Sequence, residues 1–509
     1  MHHRYTLMAQ SGDSDAPFEP PTLAETLVDD ADQTLDLGDA GKLVLAEDGL
    51  RIESPEAPSE SPFAACCPAA FSPSDSKSRT IPYHLVLYAE SSPSHLEIAF
   101  ASRASKRLIP STLSFPAPPP LAPSFAAALL TRAYGPALPR KRLKILVNPF
   151  GGQGRAQALY NAEIKPILDA ARCVLDVETT KAGGHAGVIA AELDIEAYDA
   201  VVCCSGDGLP HEVFNGLARR ADARRALGRV AVSQMPCGSG NALSWNLNGT
   251  GSASEAAVAL VKGVRRGVDL ASVTQVVGGE VVRSLSFLSQ AYGLVADIDL
   301  GTEGLRWMGD VRFTLGVLAR ILARTTYAAD VAVGVQVEGK ERVREAWEAG
   351  LEGKEEEEDG REEEGLPPLR FGTVGDALPT GWTAVSVPEL GNFYAGNMPL
   401  MSADTTFFHA ALPRDGCFDL VTTPGDISRM DALGMMDSVG KGTFFDDKNV
   451  EYRKVVGYRL TPRIPSGYIS IDGEKFPFVP LQVEVHRGLG TVIGLPGKGY
   501  VGVGFAKKE

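Results

Sequence analysis

The sequence predicts an α/β domain built on a three-layer, mostly parallel sheet, followed by an all-β, sandwich-like domain, with a site in the cleft between them. Three observations carry this. Apolar, β-branched runs of strand length, Leu143 to Val147, Val174 to Glu178, Ala200 to Cys204 and Val230 to Gln234, alternate with helix-like stretches, the pattern of a parallel sheet covered on both faces. Beyond Gly267-Val268-Asp269 the pattern changes to the strict alternation of half-buried antiparallel strands, at Ser284 to Gln290, Val331 to Val337, Thr383 to Val387, Phe418 to Val421, Tyr468 to Ile471 and Leu481 to Val485. Three strands of the first set end in glycine-rich turns that open helices.

The 509 residues, 44% of them apolar, suffice for two cored domains and extensions. Residues 1–40 are polar, acidic and aperiodic, and are expected to be disordered. Residues 41–115 read as a small β module: Leu43 to Leu45 and Leu50 to Ile52 form a hairpin around Glu47-Asp48-Gly49, and Tyr83 to Ala89 and Leu96 to Phe100 add strands after a Ser/Pro-rich insert at 54–78. Residues 116–139 hold a linker, Pro116 to Pro120, and a helix, Phe125 to Tyr134. Arg140-Lys141-Arg142 reads either as a membrane-facing patch or as solvated residues preceding a strand. The α/β domain is assigned to 140–280 and the β domain to 281–509, the latter interrupted by a disordered acidic insert at about 340–368.

That insert distorts the global charge. Nine acids between Glu352 and Glu364, against Lys354 and Arg361, supply seven of the fifteen net negative charges. Seven cysteines in predicted strands, turns and low-complexity sequence form no secreted disulfide framework. Cys66-Cys67 is either an acylation site or a pair of unmodified thiols. No run of eighteen apolar residues and no signal-peptide core occur, so an intracellular protein is expected. No basic, aromatic face for nucleic acid and no His/Cys metal cluster are present.

The chemistry centres on Ser205-Gly206-Asp207-Gly208, where a lone carboxylate sits between two glycines at the carboxyl end of a strand. Taken alone, Gly-Asp-Gly is most simply a turn. Its company is what matters. Asn148-Pro149-Phe150-Gly151-Gly152-Gln153-Gly154-Arg155 and Pro236-Cys237-Gly238-Ser239-Gly240-Asn241-Ala242 also follow strands. Exposed amides and helix N-termini favour anions, which makes a polyphosphate the natural guest. No P-loop motif occurs, and Gln157 stands where a dinucleotide fingerprint needs glycine.

Those three motifs, in this order, resemble the diacylglycerol kinase catalytic fold and, within it, the sphingoid long-chain base (sphingosine) kinases, over roughly residues 140 to 490. The resemblance implies a nucleotide-binding first domain, ATP and Mg²⁺ as cofactors, and phosphorylation of the primary hydroxyl of a sphingoid base. It implies Asp207 as the base that takes the hydroxyl proton and touches substrate. Nucleotide contacts then fall to Asn148, Gly151, Gly152, Gly154, Arg155, Thr180, Ser205, Gly206, Gly208, Glu212, Gly238, Ser239, Gly240, Asn241, Arg306, Arg312, Asp472, Gly473 and Glu474. No metal ligand is assigned directly; magnesium would come with ATP, through Glu212 or Glu474. Many relatives have lysine where Gln153 stands, with Arg155 as a substitute cation. In Asp297-Ile298-Asp299 the second acid, Asp299, is implied to hold the lipid amine. A charge-assisted bond there favours an amine over a neutral head group. Phe313 and Leu318, with Leu315, Val317, Ile321 and Leu322, either line an alkyl-chain pocket or belong to plain core.

Competing readings are a diacylglycerol or ceramide kinase of the same fold, an NAD kinase, which shares the Gly-Asp-Gly turn but lacks the Asp299 segment, and a non-catalytic lipid or nucleotide sensor. The expected partners are ATP, a sphingoid base and a membrane surface met peripherally from the cytoplasm, without nucleic acid. Oligomeric state is not legible.

Overall fold

A computed structural model describes residues 33–53, 78–116, 119–152, 154–301, 320, 324–352, 364–502 and 504–505. The parallel sheet has the order β11-β10-β8-β9, from β8 (Arg142–Val147), β9 (Val174–Thr179), β10 (Ala200–Ser205) and β11 (Ala231–Pro236). Its register sets Ala200 beside Leu143 and Ala231, and Leu143 beside Leu175. The apolar runs are continuous because both faces are covered, and alternate residues serve different cores. Val202 and Cys204 pack with one cluster, and Val201 and Cys203 with the other. The second face is covered by α4 (His185–Glu192), α5 (Gly208–Ala218), α6 (Ala223–Arg229) and α7 (Ala242–Asn248).

The first face carries α8 (Ala253–Lys262) and, beyond it, the N-terminal unit with its helix α1 (Ala122–Tyr134). That unit holds a four-stranded sheet, β1 (Gln33–Asp36) to β4 (Ser78–Pro82), and a three-stranded sheet, β5 (Val86–Ser91) to β7 (Arg107–Pro116). Residues 33–40, expected to be disordered, supply β1 and a 3-10 turn, because Leu35 is buried in the shared core. Tyr83 opens a 3-10 turn rather than a strand, and its hydroxyl donates to Ala46 O at 2.6 Å. Two buried lysines dock the unit. Lys262 donates to Val86 O and Ala133 O, and Lys141 to Leu138 O and Val261 O. Lys141 is buried and Arg142 is paired to Asp199 at 3.0 Å, so two residues of the basic triplet serve the entry to β8, while Arg140 is exposed. The expected disorder of residues 1–32, residues 54–77 of the Ser/Pro-rich insert and Cys66-Cys67 lie outside the described residues, and Ser78 already opens β4.

The antiparallel part grows from the same sheet. β24 (Leu481–Gly494) meets β11 in parallel at Val232/Val492, and pairs antiparallel with β12 (Val264–Val277) and β21 (Glu451–Pro462). β12 lies inside the span assigned to the α/β domain, yet it already belongs to the antiparallel layers. A facing layer contains β14 (Ser289–Gly293), β17 (Leu390–Gly396), β20 (Phe418–Pro424) and β22 (Ile469–Ile471). The layers close on a core in which Tyr458 of β21 meets Phe393 of β17 at 4.8 Å between ring centroids.

Two expectations are corrected here. The strand read as Ser284 to Gln290 breaks at Phe287-Leu288, between β13 (Glu280–Ser286) and β14, because both of those N–H groups turn to the Asp472 carboxylate. The acidic insert opens with a helix, Lys340–Glu352, rich in helix formers, with Val343 fully buried and Trp347 packed edge-on against Phe505 at 5.2 Å. The chain is tied down again where Gly365 donates to Ala221 O at 2.7 Å. Residues 353–363 of the insert lie outside the described residues. Among the described residues no helix is long and apolar enough to cross a membrane.

Candidate active site

The three glycine turns stand side by side because β8, β10 and β11 are neighbours and end at one edge. Asn148 Oδ1 accepts from the N–H groups of Phe150 and Gly151 at 3.0 and 3.1 Å, which folds the first turn back on itself. The turns then meet through glycines. A Cβ on Gly238 would lie 2.4 Å from Gly206 Cα, and one on Gly152, whose φ is +58°, would lie 3.0 Å from Cys237 O. Asn241 ends the third turn in the left-handed region at φ +56°, its side chain bridging Gly238 N–H and Gly238 O. Ser239 is exposed at the tip, and Gly154 and Arg155 are exposed beside the first turn.

Asp207 lies where the turns converge. Its Oδ2 accepts from Ala242 N at 3.0 Å, and its Oδ1 from Leu243 N at 3.1 Å and Gln234 Nε2 at 3.2 Å, so the carboxylate seats the start of α7. Burial raises its pKa above the usual carboxylate range, and those donors only partly offset the rise. Gly240 leaves room above it: a Cβ there would sit 3.4 Å from Asp207 Oδ2 and 3.2 Å from Met401 O, an atom of the β domain.

Other expected residues hold the frame. Thr180 is buried, and its hydroxyl donates to Val147 O at 3.4 Å. Glu212 Oε2 accepts from Ala186 N at 3.1 Å and caps α4, while the Ser205 hydroxyl donates to Gly206 O at 2.7 Å. Asp472 is the most fully bonded of them. Its buried carboxylate accepts from Ser286 Oγ, Phe287 N, Leu288 N and Ser289 N at 2.6 to 3.1 Å and pairs with His211 Nδ1 at 2.8 Å. With five partners it joins α5 to the β domain. Burial lowers the His211 pKa, but Asp472, with Glu474 and Glu212, outweighs this and raises it overall. Beyond Gly473, at φ +83°, the exposed Glu474 extends over the Gly-Asp-Gly turn, its Oε1 2.8 Å from where a Cβ of Gly208 would be.

On α9 (Leu294–Gly301) the two acids of Asp-x-Asp divide. Asp297 is matched internally by Arg320, through two bonds of 3.0 and 3.1 Å, and by the Tyr327 hydroxyl at 2.6 Å. Asp299, two residues on and half-buried, accepts from Ser470 Oγ at 3.3 Å. Behind α9 lies a cavity of about 140 Å³ lined by Leu294, Val295, Ile298, Phe407, Met435 and Phe444, among others. Phe407 packs edge-on against Tyr394 at 5.1 Å. Burial raises the pKa of that tyrosine, and the nearby carboxylates of Asp299, Asp472 and Asp207 add to the rise. The phenol itself donates to Ser289 Oγ at 3.4 Å, and its ring packs on Phe407 of the cavity's lining.

Arg306, Arg312, Phe313 and Leu318 lie outside the described residues. Sequence reasoning missed Tyr394, His211 and Gln234. The available signal was a polar side chain at the end of an apolar strand, as with Gln234, or one helical turn beyond Asp207, as with His211. Among the described residues no group of three His, Cys, Asp or Glu side chains could hold a metal ion.

Comparison with known proteins places this geometry. Residues 142–273 match the diacylglycerol kinase catalytic domain, and residues 33–135 match a domain of unknown function. Sphingoid long chain base kinase 5 of Saccharomyces cerevisiae is 34% identical over 411 residues, 70% of this chain and 60% of that protein's length. Sphingoid long chain base kinase 4 of Schizosaccharomyces pombe is 30% identical over 419 residues, 81% of this chain and 87% of that protein. Sphingosine kinase 2 of Arabidopsis thaliana is 30% identical over 392 residues, 71% of this chain and 78% of that protein. Since likeness of that extent takes in both the glycine turns and the β domain facing them, the chain belongs to the sphingoid long-chain base kinases, lipid kinases built on the diacylglycerol kinase catalytic domain.

Proposed function

We propose that the protein transfers a phosphoryl group from Mg-ATP to the primary hydroxyl of a sphingoid long-chain base. The observation that carries this reading is α9, which places the Asp299 carboxylate on the same helix as Leu294, Val295 and Ile298 of the apolar cavity's wall, in the domain whose Glu474 and Met401 O approach the glycine turns. A lipid with its tail in the cavity and its amine at Asp299 would have its head group on the side of Asp207.

The glycine cradle, which any Cβ at Gly238 would fill, suits the backbone approach of a polyphosphate. Asn148, Gly151, Gly152, Gly206, Gly208, Gly238, Ser239 and Gly240 would hold the nucleotide, with Glu474 over it. When bound, Mg-ATP supplies the phosphoryl group and spreads its negative charge. Asp207 accepts the hydroxyl proton, and its raised pKa brings it nearer the match a base needs at neutral pH. Asp299 holds the ammonium by a charge-assisted bond, the interaction a diacylglycerol or an N-acylated base cannot return. Arg306 and Arg312 are proposed as phosphate contacts, and Phe313 and Leu318 as further tail contacts, on resemblance alone. The substrate's chemistry implies work at a membrane surface, reached peripherally from the cytoplasm.

Incubation with labelled Mg-ATP and, separately, sphinganine, phytosphingosine, diacylglycerol and ceramide tests the reading. Label is expected in the two amine-bearing lipids. Label in the neutral lipids would move the protein to another branch of the fold, and label in none would leave a sensor.

A further inference from the structure

The apolar cavity behind α9 has a polar corner. β17 and β20 run antiparallel, and their register sets Asn392 directly across from Thr423. Leu390 pairs with Pro424, so β17 carries one residue more than β20 at Gly391, a bulge of the kind that re-aims the side chain beside it. A Cβ on Gly391 would lie 2.7 Å from Gly425 N, a contact that only glycine avoids. Phe393 packs into the β-domain core with Tyr458, so Asn392 and Tyr394 share the opposite face, where Tyr394 meets Phe407 of the cavity's lining. Asn392 and Thr423 line the cavity themselves.

Both side chains are buried, each residue being 4% exposed. Asn392 Oδ1 accepts from Val295 N at 3.1 Å, which fixes the orientation of the amide and leaves its NH₂ to the cavity. Among the described residues neither that NH₂ nor the Thr423 hydroxyl has a hydrogen-bond partner. The arginines of the lining are committed elsewhere, Arg320 to Asp297 and Arg324 to Ile427 O. A plain hydrocarbon chain passing this corner would leave two polar groups unpaired in an apolar enclosure, which is costly. A hydroxyl satisfies both, accepting from the amide and donating to the threonine. The corner is also close to the proposed amine site. Val295 and Asp299 are one turn apart on one face of α9, about 6 Å along its axis. Hydrogen bonds of about 3 Å at the ammonium and at the hydroxyl, with a short carbon bridge between them, cover that span.

We propose that Asn392 and Thr423 form a hydroxyl-recognising subsite in the lipid cavity, which makes a 4-hydroxylated sphingoid base the preferred substrate over one with a plain chain. This rests on the lipid-kinase reading above. The 3-hydroxyl, common to all sphingoid bases, adjoins the amine-bearing carbon and stays with the head group, and the 4-hydroxyl is the first to enter the cavity. The test is kcat/KM for phytosphingosine and for sphinganine, each at the same mole fraction in detergent micelles, in the wild type, Thr423→Val and Asn392→Leu. The wild type is expected to favour phytosphingosine about tenfold, the worth of pairing one buried polar group. In either variant the ratio should fall to near one, by a loss with phytosphingosine and a gain with sphinganine, whereas a merely structural role would lower both together. Thr423→Val removes the hydroxyl and keeps the shape, so it decides the matter if Asn392→Leu, which also loses the bond to Val295 N, does not fold. A wild-type preference that is absent or reversed, or one that the folded variants leave unchanged, overturns the subsite and leaves the kinase reading standing. Phosphorylation of neither base overturns that reading and the subsite with it.

Discussion

At the scale of single residues, Asp207 has two tasks. Its carboxylate seats the amino end of α7 and is also the proposed base. Asp207→Asn keeps one acceptor oxygen but turns an NH₂ toward N–H donors, so a stability loss of about 1 kcal/mol is expected, comparable to losing a helix cap. Turnover is expected to fall by about 10²- to 10⁴-fold, the usual contribution of a general base. Melting curves and initial rates check the two effects separately; near-normal turnover would mean that Asp207 is not the base. Gly238→Ala tests the cradle itself. Its methyl group would lie 2.4 Å from Gly206 Cα, backbone that cannot rotate away, so about 1–3 kcal/mol of stability and most nucleotide affinity should be lost. Nucleotide titration of the purified variant reads this; unchanged affinity would place the nucleotide elsewhere. The glycines and Asp207 were legible because their residue types are demanded by backbone conformation and close approach. The internal bonding of Asp472 was not legible, because its sequence context, Asp-Gly-Glu after a strand, is the same for a ligand contact and for a buried acid with five partners. Only tertiary structure distinguishes the two. Tyr394 had no local signature at all, since its hydrogen-bond partner, Ser289, is far from it along the chain.

At the scale of elements, the parallel strands were legible from uninterrupted apolar runs, and the antiparallel ones from alternation. The elements that were missed depend on distant partners. β1 exists because Leu35 joins a core built from α1, α3 (Lys165–Ala170) and α8, and the Lys340–Glu352 helix because Val343 and Trp347 find apolar neighbours. The junction between α8 and the N-terminal unit leads to a pH prediction. Burial, then the charge of Lys141, holds the Lys262 pKa down to about 7, below the ordinary 10.5. Between those two pH values the unfolded chain binds the extra proton, so stability should rise as pH increases from about 7 towards 10. Thermal melts across that window, compared with Lys262→Met, which removes the titrating amine, check this. A wild-type slope no steeper than the variant's would contradict it.

At the scale of the whole molecule, the site is made by two halves sharing one sheet. β24 ties the antiparallel layers to β11, and the His211/Asp472 pair fixes the hairpin that carries Glu474 over the Gly-Asp-Gly turn. Met401 O approaches Gly240 from the same side. The cradle alone fits any polyphosphate chemistry. On the proposed reading the β domain supplies what narrows it, namely Asp299 on α9 and the apolar cavity beside it. The central claim is therefore that a carboxylate of the second half recognises the lipid's charge. It is tested most directly by kcat/KM for sphinganine and for N-acylated sphinganine, in the wild type and in Asp299→Asn. The account predicts that the wild type acts on the amine and not on the amide. In Asp299→Asn, kcat/KM for sphinganine should fall by about 10- to 100-fold, the worth of a hydrogen bond to a charged group, with melting unchanged. An undiminished rate on sphinganine in the variant, or equal rates on the two lipids in the wild type, would contradict it.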